Sequence, residues 1–402
     1  MTNLNADYRE VCKQLIKILH ENKEQLTLIL MTVETYQMSE DEISCCIKLL
    51  KNISKQEPYL LHKYNQIMCS FLPLNQPLYS LLLQVIIPSF VMKEVHYRPP
   101  VILWKLHDDI YSLLCKGVLT NIHICKTERS RFLKQHVYCS NIVNFTGKYE
   151  NALRLIKKLP KNISMIYNGS AINPIVITQG CNLSQAVADT IAARLYNSGQ
   201  DCMAPGVILV EKSICAQFIA ELKAKITLLK VGNNHLPETD IGNLLEYQSI
   251  ECYQNFLHKH GENLILPSSI IPTHRIMSPA IFYFDSITTE IQDTYYAPYF
   301  IIMSFMSKDD IQKYLDTDFS ELYAGYISVY CSDDASEYLN YTWRAKSVPL
   351  QVLINQTLLS AEDGNEEFGG YGKGCSFLFH NNSLKAKPIL LLRELQELYH
   401  QS

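Results

Sequence analysis

Long hydrophobic runs are missing from this 402-residue chain: its most apolar stretch, Ser80 to Met92, is interrupted by Gln84 and Pro88 and falls short of a bilayer span. Charge of one sign is missing too. With 36 Lys and Arg against 40 Asp and Glu, a formal net charge of -4 and a pI near 6.3, nothing electrostatic points to nucleic acid or to a membrane surface as partner. The amino-terminal MTNLNADYREVCKQL is polar and amphipathic and lacks the apolar centre of a signal peptide, which predicts a cytoplasmic protein. The 13 cysteines include no C-x-x-C pair and no spacing that reads as a zinc site, so they are expected to be reduced thiols, with no metal. Internal repeats and low-complexity segments are also lacking.

What is present is an ordinary globular composition, 47% hydrophobic and 19% charged, on a chain long enough for two domains with sizeable cores. Apolar positions at Val11, Leu15, Ile18, Leu19, Leu26, Ile29 and Leu30 predict a helix over 8–35 broken near Asn22, and a second helix follows over 40–50. A helix is expected over 78–92, then a strand over 94–98. Residues 101–144 alternate helix, strand (121–125), helix, strand (137–143), the pattern of an open parallel sheet. Later segments continue it: helices over 215–229 and 247–260, a strand over 280–285, and a strand-helix-strand-helix-strand series over 301–353. An amphipathic helix over 390–399 closes the chain.

Tyr196 to Gly206, YNSGQDCMAPG, stands between an apolar helical segment and the strand-like Val207 to Val210. Asn197, Ser198 and Gly199 are C-cap and turn residues, so Gln200 to Cys202 should form a tight loop with backbone N–H groups facing a substrate. A cysteine there reads either as a nucleophile beside its own oxyanion donors or as an inert small hydrophobe. Further upstream, Pro73 and Pro77 fix the backbone around Asn75, which makes its amide a rigid donor or simply a turn residue.

NSGQDCMAP resembles the catalytic loop N-x-G-Q-x-C of the aldehyde dehydrogenase superfamily, and Cys202 matches its nucleophile. The resemblance runs from about residue 8 to about 390 with motifs in order. Leu-Pro-Leu-Asn-Gln-Pro (72–77) is similar to P-W-N-x-P, with Asn75 at the oxyanion donor and Leu74 at the Trp. Val-His-Tyr-Arg-Pro is similar to V-x-L-K-P, putting Arg98 where a Lys binds the adenosine ribose. Phe145-Thr146-Gly147-Lys148 resembles F-T-G-S at the pyrophosphate loop, with Lys148 for Ser and Ala152 for the second Gly. Tyr296 keeps the aromatic of E-I-F-G-P, whose cofactor-holding Glu is Thr294 here. Asn168 stands where the family has the Glu that activates water, and an amide cannot take that proton. The resemblance implies a substrate pocket bordered by Asp201, Met203 and Phe368, and a glycine loop over 369–374 that packs beside the site.

The implied fold is α/β: two open α/β domains with a Rossmann-like nucleotide-binding half. Residues 1–172 would form the dinucleotide-binding domain, 173–383 the catalytic domain and 384–402 a returning tail. The implied activity is an NAD- or NADP-dependent oxidoreductase that forms a thiohemiacetal and thioester on Cys202 from a small aldehyde or acyl-thioester. Without the Glu, an acylating direction with coenzyme A, or a reductive one, gains weight. A homodimer with a reduced bridging hairpin is expected. The alternative is a catalytically degenerate relative that keeps the fold as a binding or scaffolding protein.

Overall fold

The computed structural model describes residues 7–292 and 295–400. Three helices, Tyr8–Glu21, Lys23–Leu30 and Tyr36–Lys51, open the chain, and the break expected near Asn22 is there because the Asn22 amide turns back to donate to the Ile18 carbonyl at 2.9 Å. Their apolar stripes, Leu15, Leu19, Leu26, Leu30, Ile43 and Leu50 among them, are buried under the first sheet.

That sheet holds β1 (Tyr64–Phe71), β2 (Met92–Arg98), β3 (Ile122–Ile124), β4 (Ile142–Thr146) and β5 (Ser164–Asn168), all parallel. Its order is β5-β4-β1-β2-β3, so the strand order reverses beside β1, and the crevice beyond the carboxyl ends of β1 and β4 is where such sheets take ligands. The second sheet has β6 (Ile175–Ile177) and β7 (Ile208–Glu211) at its centre, with strands 326–330 and 351–354 on one side and 299–305, 280–284 and 264–266 on the other. Only the last of these is antiparallel. The central strands are buried on both faces, as continuous Val/Ile/Leu runs require. The architecture is therefore α/β in two layered halves.

Three elements differ from the reading of the sequence. The hairpin Ser376–His380 and Ser383–Ala386 adds antiparallel to β5 of the first sheet, so the boundary expected at 384 falls inside a hairpin that belongs to the other half. The strand expected over 137–143 begins at Ile142, because Val137–Cys139 is a tight turn closed by the Ser140 hydroxyl on the Val137 carbonyl at 2.8 Å. The helix expected over 78–92 is Pro77–Leu81 and Ile87–Ser89 joined by one wide turn, Leu82–Ile86; Pro88 has no N–H to donate four residues back. No helix among the described residues is long and apolar enough to cross a membrane.

Candidate active site

The helix Leu183–Leu195 ends in three consecutive left-handed residues, Asn197 (φ 44°), Ser198 (φ 57°) and Gly199 (φ 79°), which reverse the chain sharply before Cys202. A Cβ on Gly199 would lie 2.7 Å from the Ala297 backbone, so only glycine fits. Such a turn must be held from outside, and Arg194 does this. Its guanidinium is 1% exposed and donates to the carbonyls of Gly199 (2.7 Å), Pro205 (3.0 Å), Ala297 (3.0 Å) and Tyr295 (3.3 Å), while stacking 4.4 Å from the Tyr295 ring. Gln200 accepts from Leu245 N–H at 2.6 Å, the Ser198 hydroxyl from Gly242 N–H at 2.8 Å, and Asn173 donates to the Cys202 carbonyl at 3.1 Å. Every flank of the loop is pinned.

Cys202 is partly exposed, yet its thiol is desolvated: burial first, then the neighbouring carboxylates of Asp201 and Glu362, push its pKa well up. One donor expected at an oxyanion is not free. Asn75 Nδ2 donates to Asp201 Oδ2 at 3.4 Å, and the Met203 N–H donates to Asp201 Oδ1 at 2.7 Å. Burial nonetheless drives the Asp201 carboxyl upward in pKa. A side-chain anion thus sits where a substrate oxyanion would find one of its donors. Asn75 itself is set by Gln76 in the left-handed region (φ 48°), followed by a helix with Pro77 at its first position and Glu42 accepting from the N–H groups of Leu78 (2.9 Å) and Tyr79 (2.8 Å).

Across the cleft, Asn168 ends β5. Its amide donates to Asn144 Oδ1 at 3.2 Å, Asn144 donates to Ser70 (3.2 Å) and Gln84 (3.1 Å), and Thr146 donates to Gln84 at 3.0 Å, a buried chain of amides and hydroxyls tying β1, β4 and β5 together. Asn168 is a structural link here, with no acidic group in that chain. Phe145 turns inward, 6% exposed and edge-on to Phe71 at 5.5 Å, and so packs the core instead of facing the cleft. Leu74 is half-buried. Gly147 donates to the Asn168 carbonyl at 3.1 Å, and Lys148 stands exposed as the residue before the helix Tyr149–Ile156. Arg98 ends β2, donating to the Thr127 carbonyl at 2.9 Å. Two cations, a helix start and a glycine that leaves the backbone bare fit the phosphates of a dinucleotide; Glu150 in the first turn of that helix opposes them.

Cys202 joins two small adjoining hollows. Asn168, Met203 and Phe368 line the first with it; Asp201, Arg194 and Tyr296 line the second. The Tyr296 hydroxyl hydrogen-bonds Ser170, while Thr294 lies outside the described residues. The glycine loop packs as expected against 321–325: a Cβ on Gly370 would meet the Ala324 carbonyl at 2.3 Å. The sequence reading brings together Cys202, Asn75, Asp201, Asn168, Met203, Phe368 and Tyr296, and leaves Arg98 and Lys148 at the first sheet's strand ends.

It missed Arg194 and Glu362. A lone arginine inside the apolar stretch Val187–Leu195 was the visible signal for the first. Glu362 has no local signal; burial, then the charge of Asp201, raises its carboxyl to about 8, against a hydrogen bond from Gln76.

A family model described as the aldehyde dehydrogenase family matches residues 100–376. Lactaldehyde dehydrogenase of Methanococcus aeolicus is 27% identical over 217 residues, covering 52% of this chain and 45% of that protein. Cytosolic 10-formyltetrahydrofolate dehydrogenase of Mus musculus is 25% identical over 268 residues, 61% of this chain and 28% of its own length. The chain thus aligns with less than half the length of these relatives. Among solved structures, glyceraldehyde-3-phosphate dehydrogenase of Methanocaldococcus jannaschii with NADP superposes with a TM-score of 0.77 at 19% identity, covering 98% of this chain and 87% of that one. Betaine aldehyde dehydrogenase of Staphylococcus aureus with NAD+ gives 0.76 at 16% identity, with 96% and 85% covered. These likenesses carry the fold.

Proposed function

This chain belongs to the aldehyde dehydrogenase family, and from that premise we propose that it is an NAD(P)-dependent oxidoreductase whose Cys202 attacks the carbonyl carbon of a small aldehyde. The observation that carries the reading is the place of Cys202: on a loop pinned by Arg194, at the junction of two hollows that reach Asn168 at the end of β5 and Tyr296 in the segment before the strand 299–305.

The thiol proton leaves to solvent, the Sγ–C bond forms as the C=O π bond breaks, and that electron pair makes the carbonyl oxygen an oxyanion. Asn75 Nδ2 is a donor for it once Asp201, whose carboxylate it faces at rest, turns aside or is protonated, and the Cys202 N–H is the second donor. NAD or NADP, when bound, would supply the hydride acceptor for conversion of the adduct to a thioester. Arg98 and Lys148 would hold the dinucleotide's phosphates, and Tyr296 lines the hollow beside Cys202. Asn168 cannot activate water. Release of the acyl group therefore falls to a thiol acceptor such as coenzyme A, or the thioester is the substrate and the reaction runs reductively.

A second reading has one observation in its favour. A carboxylate resting on an oxyanion donor, beside a thiol whose pKa is driven up, describes a site that is closed to chemistry and serves binding instead. Single-turnover mixing with a panel of aldehydes and NAD or NADP separates the two. A burst of reduced nicotinamide that Cys202→Ala abolishes supports the oxidoreductase; no burst with any aldehyde, together with no nucleotide-dependent rise in Tm, supports the binding protein.

A further inference from the structure

Away from the cleft, on the face of β2 that carries Glu94, His96 and Arg98, side chains from three separate elements converge. His96 lies mid-strand, Cys125 directly follows β3, and His136 follows the helix Arg129–Gln135. One ligand atom from each of these three falls within 4.8 Å of the others, and Cys125 Sγ is 4.0 Å from His96 Nδ1. Spacings of 29 and 11 residues conceal the set from any reading of the sequence for short-range ligand pairs, which is why none was expected there.

Three features make this more than a stack of rings. Glu94 Oε2 lies 3.2 Å from His96 Nε2 and accepts from it in the Nε2–H tautomer, which leaves the Nδ1 lone pair turned toward Cys125; a carboxylate on the far nitrogen is how metal-bound histidines are oriented. His96 and His136 are both partly buried, with ring centroids 4.8 Å apart, which holds the two imidazoles side by side. The cysteine is fixed by its backbone, its N–H donating to the Tyr97 carbonyl at 2.8 Å, so it needs no loop closure to reach the histidines.

We propose that His96 Nδ1, Cys125 Sγ and a ring nitrogen of His136 bind one divalent transition ion of the zinc class, with a fourth position open to water. Two imidazoles and one thiolate match the borderline-soft preference of such an ion, and carboxylate-seeking Mg2+ or Ca2+ is disfavoured. Bond lengths of about 2.0–2.3 Å place ligand atoms about 3.3–3.7 Å apart around a tetrahedral centre, so closing the site from its present span takes under about 1.5 Å of side-chain movement. On binding, the Cys125 S–H proton leaves to solvent and one S–metal and two N–metal bonds form, with no change in oxidation state. Thr127, two residues on, accepts from Arg98, so a loaded site also stiffens the segment that holds the cation at the end of β2.

Cobalt(II) is the probe. Titrating the metal-free full-length chain with Co2+ is expected to give a thiolate-to-metal charge-transfer band in the near ultraviolet that saturates at one equivalent and is displaced by Zn2+. Cys125→Ser abolishes the band, and His136→Gln or Glu94→Gln weakens binding by tenfold or more. Far-ultraviolet circular dichroism checks that each variant is folded, and if Cys125→Ser is not, the partly exposed His136→Gln decides alone. No band at millimolar Co2+ overturns the site, as does a band that survives Cys125→Ser or a Co2+ affinity unchanged in His136→Gln.

Discussion

The two sides of the cleft are built differently. On the second sheet's side, the loop around Cys202 is held by buried groups with definite partners: one arginine on four carbonyls, one glutamine on a backbone N–H, one asparagine on the cysteine's own carbonyl. On the first sheet's side, the Asn168 amide is tied into hydrogen bonds within the sheet, Lys148 stands exposed before a helix, and Arg98 donates to the Thr127 carbonyl. The shape of the loop at Cys202 is thereby secured by its own buried partners, independently of the first sheet's side.

The comparison breaks first at Arg194. Arg194→Met leaves buried carbonyls without donors and should lower stability by at least about 3 kcal/mol, with Arg194→Lys losing less because the charge stays. Denaturant midpoints measure it, and a Met variant within about 1 kcal/mol of the parent means that the loop stands without its arginine.

Acid distinguishes the first sheet's side. His107, buried against Tyr97 with no hydrogen-bond partner for either ring nitrogen among the described residues, is lowered to about 4 by burial. Its folded pKa lies below the unfolded value near 6.5, so the stability it confers is complete above pH 6.5 and is lost as pH falls toward 4, about 3 kcal/mol in all. His107→Leu should lose correspondingly less than the parent between pH 7 and pH 4, and parallel losses in the two proteins would remove His107 from the account.

A smaller effect tests the closed oxyanion donor. Asp201→Asn removes a like charge beside the thiol and should raise the single-turnover rate at pH 7 roughly tenfold, shifting the pH–rate curve down by about one unit. The parent's rate climbs from pH 7 to 9 without levelling, because the Cys202 thiol titrates above its ordinary range. A variant rate equal to or below the parent's would make Asp201 a helper of catalysis. Least of all, Lys148→Ala should weaken dinucleotide binding by up to about fivefold in a titration followed by fluorescence, since the group is exposed at a helix start.

Period and punctuation in the sequence were enough for the opening helices, including their break at Asn22, for the buried strands of both sheets and for the loop before Cys202, where Asn-Ser-Gly announces left-handed backbone. Sheet membership was not legible. Ser376–His380 reads as any strand, and its place beside β5 depends on a partner two hundred residues away. The same holds for the site: NSGQDC marks the cysteine, while the turning of Asp201 onto Asn75, and the meeting of His96 with Cys125, are tertiary facts with no local pattern. A wide turn at Pro88 replaced a straight helix for a reason the proline itself supplies.

The covalent step is the centre of the account, and trapping it is the most direct test. The full-length chain is mixed with a reactive small aldehyde and NAD or NADP, quenched in acid within one turnover, digested and mapped by mass spectrometry. The expected result is an acyl group on the peptide bearing Cys202, formed only when the nucleotide is present. An acyl group on another cysteine, or none on Cys202 while reduced nicotinamide accumulates, contradicts it.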